Sequence, residues 1–557
     1  MRKESLLKPE ICIVDLLMAL ALVICRHYDS NPVLVKPLEL LAIYFFVRMI
    51  FIVLPGWFFR LMIMSAMALY AYEISLGLKQ WIDALMSRSP VLIVGSFDNP
   101  GPYGCLISVF LCLLASYYVL LKRDCVQRVI CMILCAPGIL ILPVTQSRTA
   151  ILSLGVSIFF LAACYYKTKV NRIIRKYGIW ILICVVAAGV AGYRFKKPSA
   201  DGRLYMLRTS AVTMRTNGFK GVGPGHFSGA FGETQRMLFQ ERMEKQDSDD
   251  LDWTVLDEND RLAAECPGHA YNEYMSLGVE YGPGMMLLFI AVIVTAIISS
   301  YSKSTIWCYG MTAFALIAFF SYPLHVKILQ TVFISLLAAC VADNGGVLIE
   351  ERSRMKDAEN RRGRLVAFSA LMAVELVILV SLQSKYPEIK EKKQAETAWR
   401  KVEQLHEMEC YEDVVEKCDA LMPYLKDNDG FLFVYGQALN KTGEYAKSDS
   451  ILKLGTEVSG DPMFWNVMGN NSVALGRYRE AEQRYKHAFY ILPNRLYPLT
   501  LLAKLYYAEG DMPRFSDMSV KVESFRPKVE SLNTARLRAE IRNLKSGLFT
   551  DGTNNDN

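Results

Sequence analysis

Residues 283–300 read PGMMLLFIAVIVTAIISS and contain no charged side chain. An apolar stretch of about 18 residues is long enough to cross the hydrocarbon core of a bilayer as a helix. Similar stretches recur along the first two thirds of the chain, and 52% of the 557 residues are hydrophobic. These runs argue against a soluble enzyme, a fibrous protein and a disordered protein. They predict a polytopic membrane protein.

We predict about eleven membrane spans from such runs. They lie near 11–25, 38–54, 58–78, 103–121, 127–145, 149–166, 177–193, 272–299, 306–323, 326–342 and 365–382. Lys and Arg are concentrated at the cytoplasmic ends of spans. With the N-terminus inside, the predicted inner connections are much richer in Lys and Arg than the outer ones. This orientation places a large loop, 194–271, and the tail after residue 383 on the outer side.

The tail has a different pattern, which repeats every 33 or 34 residues. Such periods are typical of stacked helical hairpins. In the unit 462–495 the characteristic residues are Trp465, Met468, Gly469, Tyr478, Ala481, Tyr485, Ala488 and Pro493. Their spacing resembles that of a tetratricopeptide repeat, and three weaker units surround this one. We therefore predict an all-α protein: a membrane helix bundle followed by a periplasmic tetratricopeptide-type solenoid.

Three segments follow from these patterns. They are a membrane domain over 1–384, a repeat domain over 385–545 and a disordered tail over 546–557. The formal net charge of +7 could indicate a nucleic-acid partner. However, the basic excess lies before the repeats, mainly in the predicted cytoplasmic loops, where it sets orientation. We therefore predict a lipid bilayer as partner and no nucleic acid.

Basic residues at the predicted outer face are the first candidates for a site. Arg148 lies between two spans in the sequence Gln146-Ser147-Arg148-Thr149-Ala150. It could anchor the helix at the lipid headgroups, but an arginine at the membrane edge is also a functional candidate. Arg203 and Arg208 open a helix in the large loop, and arginine can place two hydrogen bonds on phosphate oxygens.

A glycine-rich segment and a histidine complete the candidates. Residues 221–227 read GVGPGHF and include His226. This segment does not follow a strand, so it is no dinucleotide fingerprint, and a tight structural turn is the simpler explanation. His269, shortly before Tyr271 and Asn272, begins the sequence HAYNEY. A histidine at the mouth of a membrane cavity can act as a general base, although a single loop histidine is often incidental.

Together these segments resemble the O-antigen ligase family of membrane glycosyltransferases, which includes O-antigen polymerases and protein O-oligosaccharyltransferases. The resemblance runs from about 100 to 345. It rests on four segments in this order: Ser147–Ala150, Gly202-Arg203 with 221–227, Asn272–Tyr274 with Glu280–Gly282, and Ser321–His325. The repeat tail resembles that of several members.

The resemblance implies transfer of a glycan from an undecaprenyl diphosphate carrier to an acceptor hydroxyl on the periplasmic face of the bacterial inner membrane. Arg148 and Arg203 match the arginines that hold the diphosphate, with Arg208 as a further substrate contact. His269 matches the histidine that activates the acceptor.

The family often has histidine directly before the asparagine, where this chain has Tyr271. We expect Tyr271 and Asn272 to contact substrate, and His226 is the next candidate for the base. No metal and no cofactor are implied.

The acceptor remains open at this stage. A lipid A core, a protein or a growing polymer would each use the same chemistry. Stacked repeats form concave surfaces that commonly bind peptides, which favours a protein acceptor or a protein partner on the repeats. A hypothesis of another class is a non-catalytic membrane scaffold or a transporter. A transporter would be expected to carry charges at mid-bilayer, and only Arg48 and Glu375 are candidates there.

Overall fold

A computed structural model describes residues 11–26, 35–53, 55–88, 92–120, 125–173, 175–177, 179, 194, 197–244, 251–303, 305–342 and 361–552. Most of the predicted span 177–193 and the end of the tail, 553–557, lie outside these residues. Every regular element in the described ranges is helical. The chain divides into two compact units, one of 1–192 and 271–385, the other of 193–270 and 386–557.

The first unit is built from apolar helices. They are α1 (Ile13–Arg26), α2 (Val35–Val53), α3 (Pro55–Ser87), α4 (Pro100–Leu120), α5 (Cys125–Val144), α6 (Arg148–Tyr165), α10 (Glu273–Tyr281), α11 (Pro283–Ser302), α12 (Trp307–Phe320) and α13 (Lys327–Val341). Helices α4, α6 and α12 pack against one another, α1 packs on α11, and α2 packs on α13. Their contacts enclose a large apolar core with smaller apolar clusters beside it.

Five helices in the described residues are long and apolar enough to cross a membrane. These stretches are Leu61–Ser87, Pro100–Leu120, Arg148–Tyr165, Pro283–Ser302 and Gly363–Glu407. Four shorter apolar helices are also present, at Ile13–Cys25, Arg128–Val144, Trp307–Phe320 and Lys327–Val341. The prediction of a multi-pass membrane protein is therefore supported. The count of about eleven spans and the orientation stay predictions.

A buried ion pair lies within the first unit. Arg48 Nε of α2 is 3.0 Å from Asp15 Oδ1 of α1, and both side chains are almost completely buried. Arg48 Nη2 donates to the other carboxylate oxygen at 3.0 Å, and the Tyr44 hydroxyl donates to Oδ1 at 2.7 Å. Burying a charge is costly unless it is paired and hydrogen-bonded. Arg48 is thus held by a carboxylate on the neighbouring helix.

The second unit combines the large loop with the tail. The loop supplies α7 (Lys197–Thr216), α8 (Phe227–Glu244) and α9 (Glu258–Ala263). The tail begins within α14 (Arg361–Glu407), which crosses the boundary between the units. The remaining helices are α15 (Tyr411–Leu425), α16 (Asp429–Lys441), α17 (Tyr445–Val458), α18 (Met463–Ala474), α19 (Tyr478–Ile491), α20 (Tyr497–Glu509), α21 (Met512–Ser524) and α22 (Leu532–Gly552).

The tail helices form successive antiparallel hairpins. Helices α16, α18 and α20 begin at Asp429, Met463 and Tyr497, each 34 residues after the one before. A Cβ on Gly469 would lie 2.2 Å from the Tyr485 ring of the partner helix, so only glycine allows this approach. The predicted repeat thus corresponds to a repeated structural element. Its identity as a tetratricopeptide solenoid stays a prediction.

The large loop packs directly on these hairpins, and helix α8 makes the closest approach. A Cβ on Gly232 would lie 2.6 Å from the Cα of Gly460, and a Cβ on Gly229 would lie 2.2 Å from the Glu457 carbonyl oxygen. The Ser228 hydroxyl also accepts a hydrogen bond from the Gly460 N–H at 3.2 Å. The two backbones therefore touch along α8, with glycine at the points of contact.

Buried hydrogen bonds hold the second half of the loop. Asn494 donates through Nδ2 to the carbonyl oxygens of Arg261 and Ala264, both at 2.9 Å. Gln235 Nε2 donates to the Ile491 carbonyl oxygen at 2.6 Å. Removing one partner of such a bond leaves a buried polar group unsatisfied, which costs about 1–3 kcal/mol. Part of the repeat surface that could bind a partner peptide is thus occupied by the chain itself.

Candidate functional site

Arg148 is the first residue of α6, and a tight turn places it there. Gln146 has a φ of 54°, in the left-handed region, and the Ser147 N–H donates to Thr145 Oγ1 at 3.2 Å. A Cβ on Gly104 of α4 would lie 2.7 Å from the Cβ of Ser147, so the turn sits directly on the backbone of α4. Arg148 itself is partly buried. The local sequence therefore fixes the position of this arginine against the first unit.

The segment 271–273 leads into α10 and contains two predicted substrate contacts. Asn272 is buried, and its side chain accepts a hydrogen bond from the Met275 N–H at 3.0 Å, which caps the helix. Tyr271 is 37% exposed and meets the ring of Tyr322 edge-on at 5.3 Å. Tyr271 is thus accessible, whereas Asn272 performs a structural task in this conformation.

Glu273 and His325 form a pair that the site prediction did not include. Glu273 is 1% exposed, and its Oε1 accepts a hydrogen bond from the Leu324 N–H at 2.6 Å. His325 Nδ1 lies 3.2 Å from the same oxygen, and the histidine side chain is 40% exposed. An ionised carboxylate only accepts hydrogen bonds, so Nδ1 is the donor, and in the neutral ring Nε2 then carries the lone pair.

The sequence contained both members of this pair. His325 ends the segment Ser321–His325, which belongs to the family resemblance, and Glu273 lies inside HAYNEY. Their distance of 52 positions along the chain gave no indication of contact. The signal available in the sequence was a glutamate directly after an asparagine that can cap a helix. The sequence of this short segment does not show that the glutamate is buried.

Helix α7 of the second unit carries the two loop arginines on different sides. Arg208 lies five positions after Arg203, which corresponds to about 140° around an α-helix. Arg208 is exposed and lines a cavity of about 420 Å³ together with Asp201, Tyr205 and Arg242. Arg203 is partly buried and does not line this cavity. In this conformation the two arginines therefore do not bind the same phosphate group together.

The glycine-rich segment is a turn leading into α8. Gly221, Gly223 and Gly225 have φ values of 69°, 95° and 82°, which side chains rarely adopt. His226 follows, and its Nδ1 lies 3.1 Å from the Pro224 carbonyl oxygen, so this nitrogen donates. The structure thus confirms a tight turn before a helix. The turn also places His226 beside a second cavity, formed with the helical repeats.

His269 lies in an irregular segment after α9. It is partly buried and belongs to the second unit, two residues before the boundary at Tyr271. Arg203, Arg208 and His226 belong to the same unit, whereas Arg148, Tyr271 and Asn272 belong to the first. Among the predicted residues, the first unit therefore contains one arginine, and the second contains the remaining basic candidates.

A contact between a carboxylate and a histidine links α8 to the repeats. Glu233 Oε2 lies 3.5 Å from His487 Nε2, and the His487 ring stacks on Trp465 with centroids 3.6 Å apart. Burial would raise the pKa of Glu233, but hydrogen bonds from His487 and Arg236 outweigh it and lower the pKa to about 2. Burial lowers the pKa of His487 below its usual 6.5 despite the nearby carboxylate. We therefore expect this contact between loop and repeats to depend on pH.

Comparison with protein families shows which known proteins part of the chain resembles. Residues 130–290 match the family model described as O-Antigen ligase. No curated protein matches the chain. Every site residue predicted from the sequence lies within 130–290, while His325 and the repeats lie beyond it. The match and the apolar helices support a multi-pass membrane protein of the ligase or polymerase type, with glycosyltransferase activity.

Proposed function

We propose that the protein transfers a glycan from an undecaprenyl diphosphate carrier to an acceptor hydroxyl on the periplasmic face of the bacterial inner membrane. The observation that carries this proposal is the O-Antigen ligase match over 130–290, which contains Arg148, Arg203 and His269. The first unit supplies helices able to cross a bilayer. A lipid-linked donor would be accessible to a protein embedded in this way.

Transfer breaks the bond between the anomeric carbon and the diphosphate, and forms one from that carbon to the acceptor oxygen. The leaving diphosphate gains negative charge as the bond breaks. In our proposal Arg148 and Arg203 stabilise this charge, since fixed donors aimed at developing charge lower the barrier most. Arg208 faces its own cavity, so we assign it a binding contact on a different side of α7.

A histidine takes the proton of the attacking hydroxyl in this mechanism. His269 is the first candidate, and Tyr271 and Asn272 lie next to it along the chain. His325 is a second candidate because Glu273 accepts from Nδ1, which leaves Nε2 as the proton-accepting nitrogen whenever the ring is neutral. A general base of this kind contributes about 10²–10⁴-fold to the rate. His226 remains a binding candidate beside the second cavity.

Replacement of Arg203 tests the proposal. Purified Arg203→Ala protein, reconstituted with carrier-linked glycan and acceptor, should transfer glycan about 10²–10³-fold more slowly than the wild type. Arg215→Ala is the matched control, because Arg215 is an exposed arginine on the same helix outside the proposed site. Wild-type rates for Arg203→Ala would refute the assignment.

Purified wild-type protein also distinguishes an enzyme from a scaffold or transporter. Only an enzyme joins donor and acceptor in a reconstituted system without other proteins. In cells, deletion of the gene should leave carrier-linked glycan unused. Loss of sugars from lipopolysaccharide would identify a lipid acceptor, and loss from glycoproteins a protein acceptor.

A further inference from the structure

The loop contacts the repeats at corresponding turns. Gly460, in the turn between α17 and α18, accepts a hydrogen bond from the Cys266 thiol at 2.9 Å and donates to Ser228. Asn494, in the turn between α19 and α20, donates to two loop carbonyl oxygens. Asn494 follows Gly460 by 34 residues, the length of one repeat. The loop thus follows one edge of the repeats and occupies the same position on each.

The next turn continues this edge. Between α21 and α22, Lys528 Nζ lies 2.5 Å from Glu265 Oε1, and the Arg526 carbonyl oxygen accepts a hydrogen bond from Arg261 at 3.0 Å. Trp253 of the loop packs against Phe525 with ring centroids 5.0 Å apart. Three consecutive turns therefore bind polypeptide, through contacts both to its backbone and to its side chains.

One repeat earlier, the corresponding turn is 426–428, between α15 and α16. This turn does not contact the loop through any hydrogen bond among the described residues. Lys426 and Asp427 instead line a cavity of about 590 Å³, and His226 of the loop lies at its wall. The edge formed by these turns therefore continues into a cavity at turn 426–428, where the hydrogen bonds to the loop end.

The cavity combines an apolar wall with an unsatisfied acceptor. Met422, Ile451 and Leu454 supply apolar surface, and Leu454 is 39% exposed. Asp427 Oδ2 is buried and has no hydrogen-bond partner among the described residues. A buried carboxylate oxygen requires a donor. The cavity is therefore complementary to an apolar side chain followed by a hydrogen-bond donor.

Two other charged groups of the cavity compensate each other. Lys447 Nζ lies 2.8 Å from Asp419 Oδ1, and the Tyr435 hydroxyl donates to the same oxygen. Hydrogen bonds from Lys447 and Tyr435 outweigh the effect of burial and lower the pKa of Asp419, which keeps the pair charged. Asp427 Oδ2, by contrast, has no such hydrogen bond among the described residues, and Lys426 and Glu457 line the cavity as further charged groups.

We propose that this cavity, the acceptor cleft, binds an extended segment of a protein that receives the glycan. The inference rests on the proposed function and assigns it a protein acceptor. The bound segment continues the edge that the loop occupies, with an apolar side chain against Leu454 and a hydroxyl, amide or ammonium group on Asp427. Repeat surfaces bind extended peptides in this manner.

Binding to the full-length protein in detergent tests this proposal. The probe is a fluorescein-labelled peptide in which Leu-Ser-Lys is repeated four times, measured by fluorescence polarisation. Leu454→Asp and Asp427→Ala should each weaken binding by about tenfold or more, as expected for a central contact. Val520→Asp is the control, because Val520 is a similarly exposed apolar residue of the repeats away from the cleft.

Two results would overturn the proposal. One is equal peptide affinity of wild type and Leu454→Asp, and the other is binding of lipid A core oligosaccharide, but not peptide, in the cleft. Arg203→Ala should bind the peptide like the wild type, since the cleft does not contain Arg203. Full transfer activity of Arg203→Ala would therefore refute the proposed function without affecting the peptide measurement.

Discussion

Ion pairs in the two units differ in their surroundings. In the first unit Arg48 and Asp15 are almost completely buried between apolar helices. In the second unit Arg526 and Glu258 pair at 3.4 Å with both side chains mostly exposed. Exposed pairs contribute about 0–1 kcal/mol, whereas breaking a buried pair costs about 3–5 kcal/mol. The first unit therefore depends on its charges far more than the second, which depends on close backbone contact.

Arg48→Met should have the largest effect on stability. It leaves Asp15 buried and unpaired, which we expect to cost about 3–5 kcal/mol. Thermal unfolding of the full chain in detergent measures the loss. The double replacement of Asp15 by Leu and Arg48 by Met should recover much of it, because no charge remains. A double variant as unstable as the single one would contradict this explanation.

Gly232→Ala tests the backbone contact of the second unit. Alanine favours a helix over glycine by about 1 kcal/mol, but its Cβ would clash with Gly460. We expect a net loss of about 2 kcal/mol, as for overpacked cores. Hydrogen exchange of the α8 amides measures it.

Gly430→Ala is the matched control for Gly232→Ala. A Cβ at position 430 meets only the Asn428 side chain, at 3.5 Å. Hydrogen exchange of the α8 amides in Gly430→Ala should therefore be unchanged or slower than in the wild type. Unaltered exchange in Gly232→Ala would show that the loop is not held along α8.

Glu273→Gln should reduce turnover at least about tenfold with little change in KM, if His325 takes the proton. The amide still accepts from the Leu324 N–H but can donate to Nδ1, which removes the fixed tautomer. Steady-state transfer assays separate kcat from KM, with Glu388→Gln on an exposed part of α14 as control. Wild-type turnover would leave His269 as the proton acceptor.

Acidification should weaken the contact between loop and repeats by a small amount. The pKa values of His487 and Glu233 are both lowered in the folded state, so the unfolded state binds more protons as pH falls. Stability is lost below pH 6.5 through His487, and further from 4.5 towards 2 through Glu233. We expect a decrease of about 2–4 °C in the unfolding midpoint from about pH 7.5 to about pH 5.

His487→Gln, which keeps a side-chain donor, tests the origin of this pH dependence. In this variant the unfolding midpoint should fall less on acidification, because the titrating ring is removed while Trp465, Glu233 and Arg236 remain. An equal decrease in this variant would assign the effect to other groups.

The sequence predicts those features that depend on local pattern. Apolar runs indicate the membrane helices, the 34-residue period indicates the hairpins, and glycines at 221, 223 and 225 indicate a tight turn. Contacts between distant segments leave no such pattern. Glu273 with His325, and Asn494 with Arg261, lie far apart in the chain, so only the folded structure brings them together.

The position of the loop on the repeats constrains how this protein can evolve. Inserting or deleting a whole repeat between Gly460 and Lys528 would separate turns that the loop binds together. A change before Tyr411 would leave these contacts intact. The end of the tail at which a repeat can be added without breaking these contacts is therefore the end next to the acceptor cleft. New acceptors could be selected there without disturbing the loop that carries Arg203 and His269.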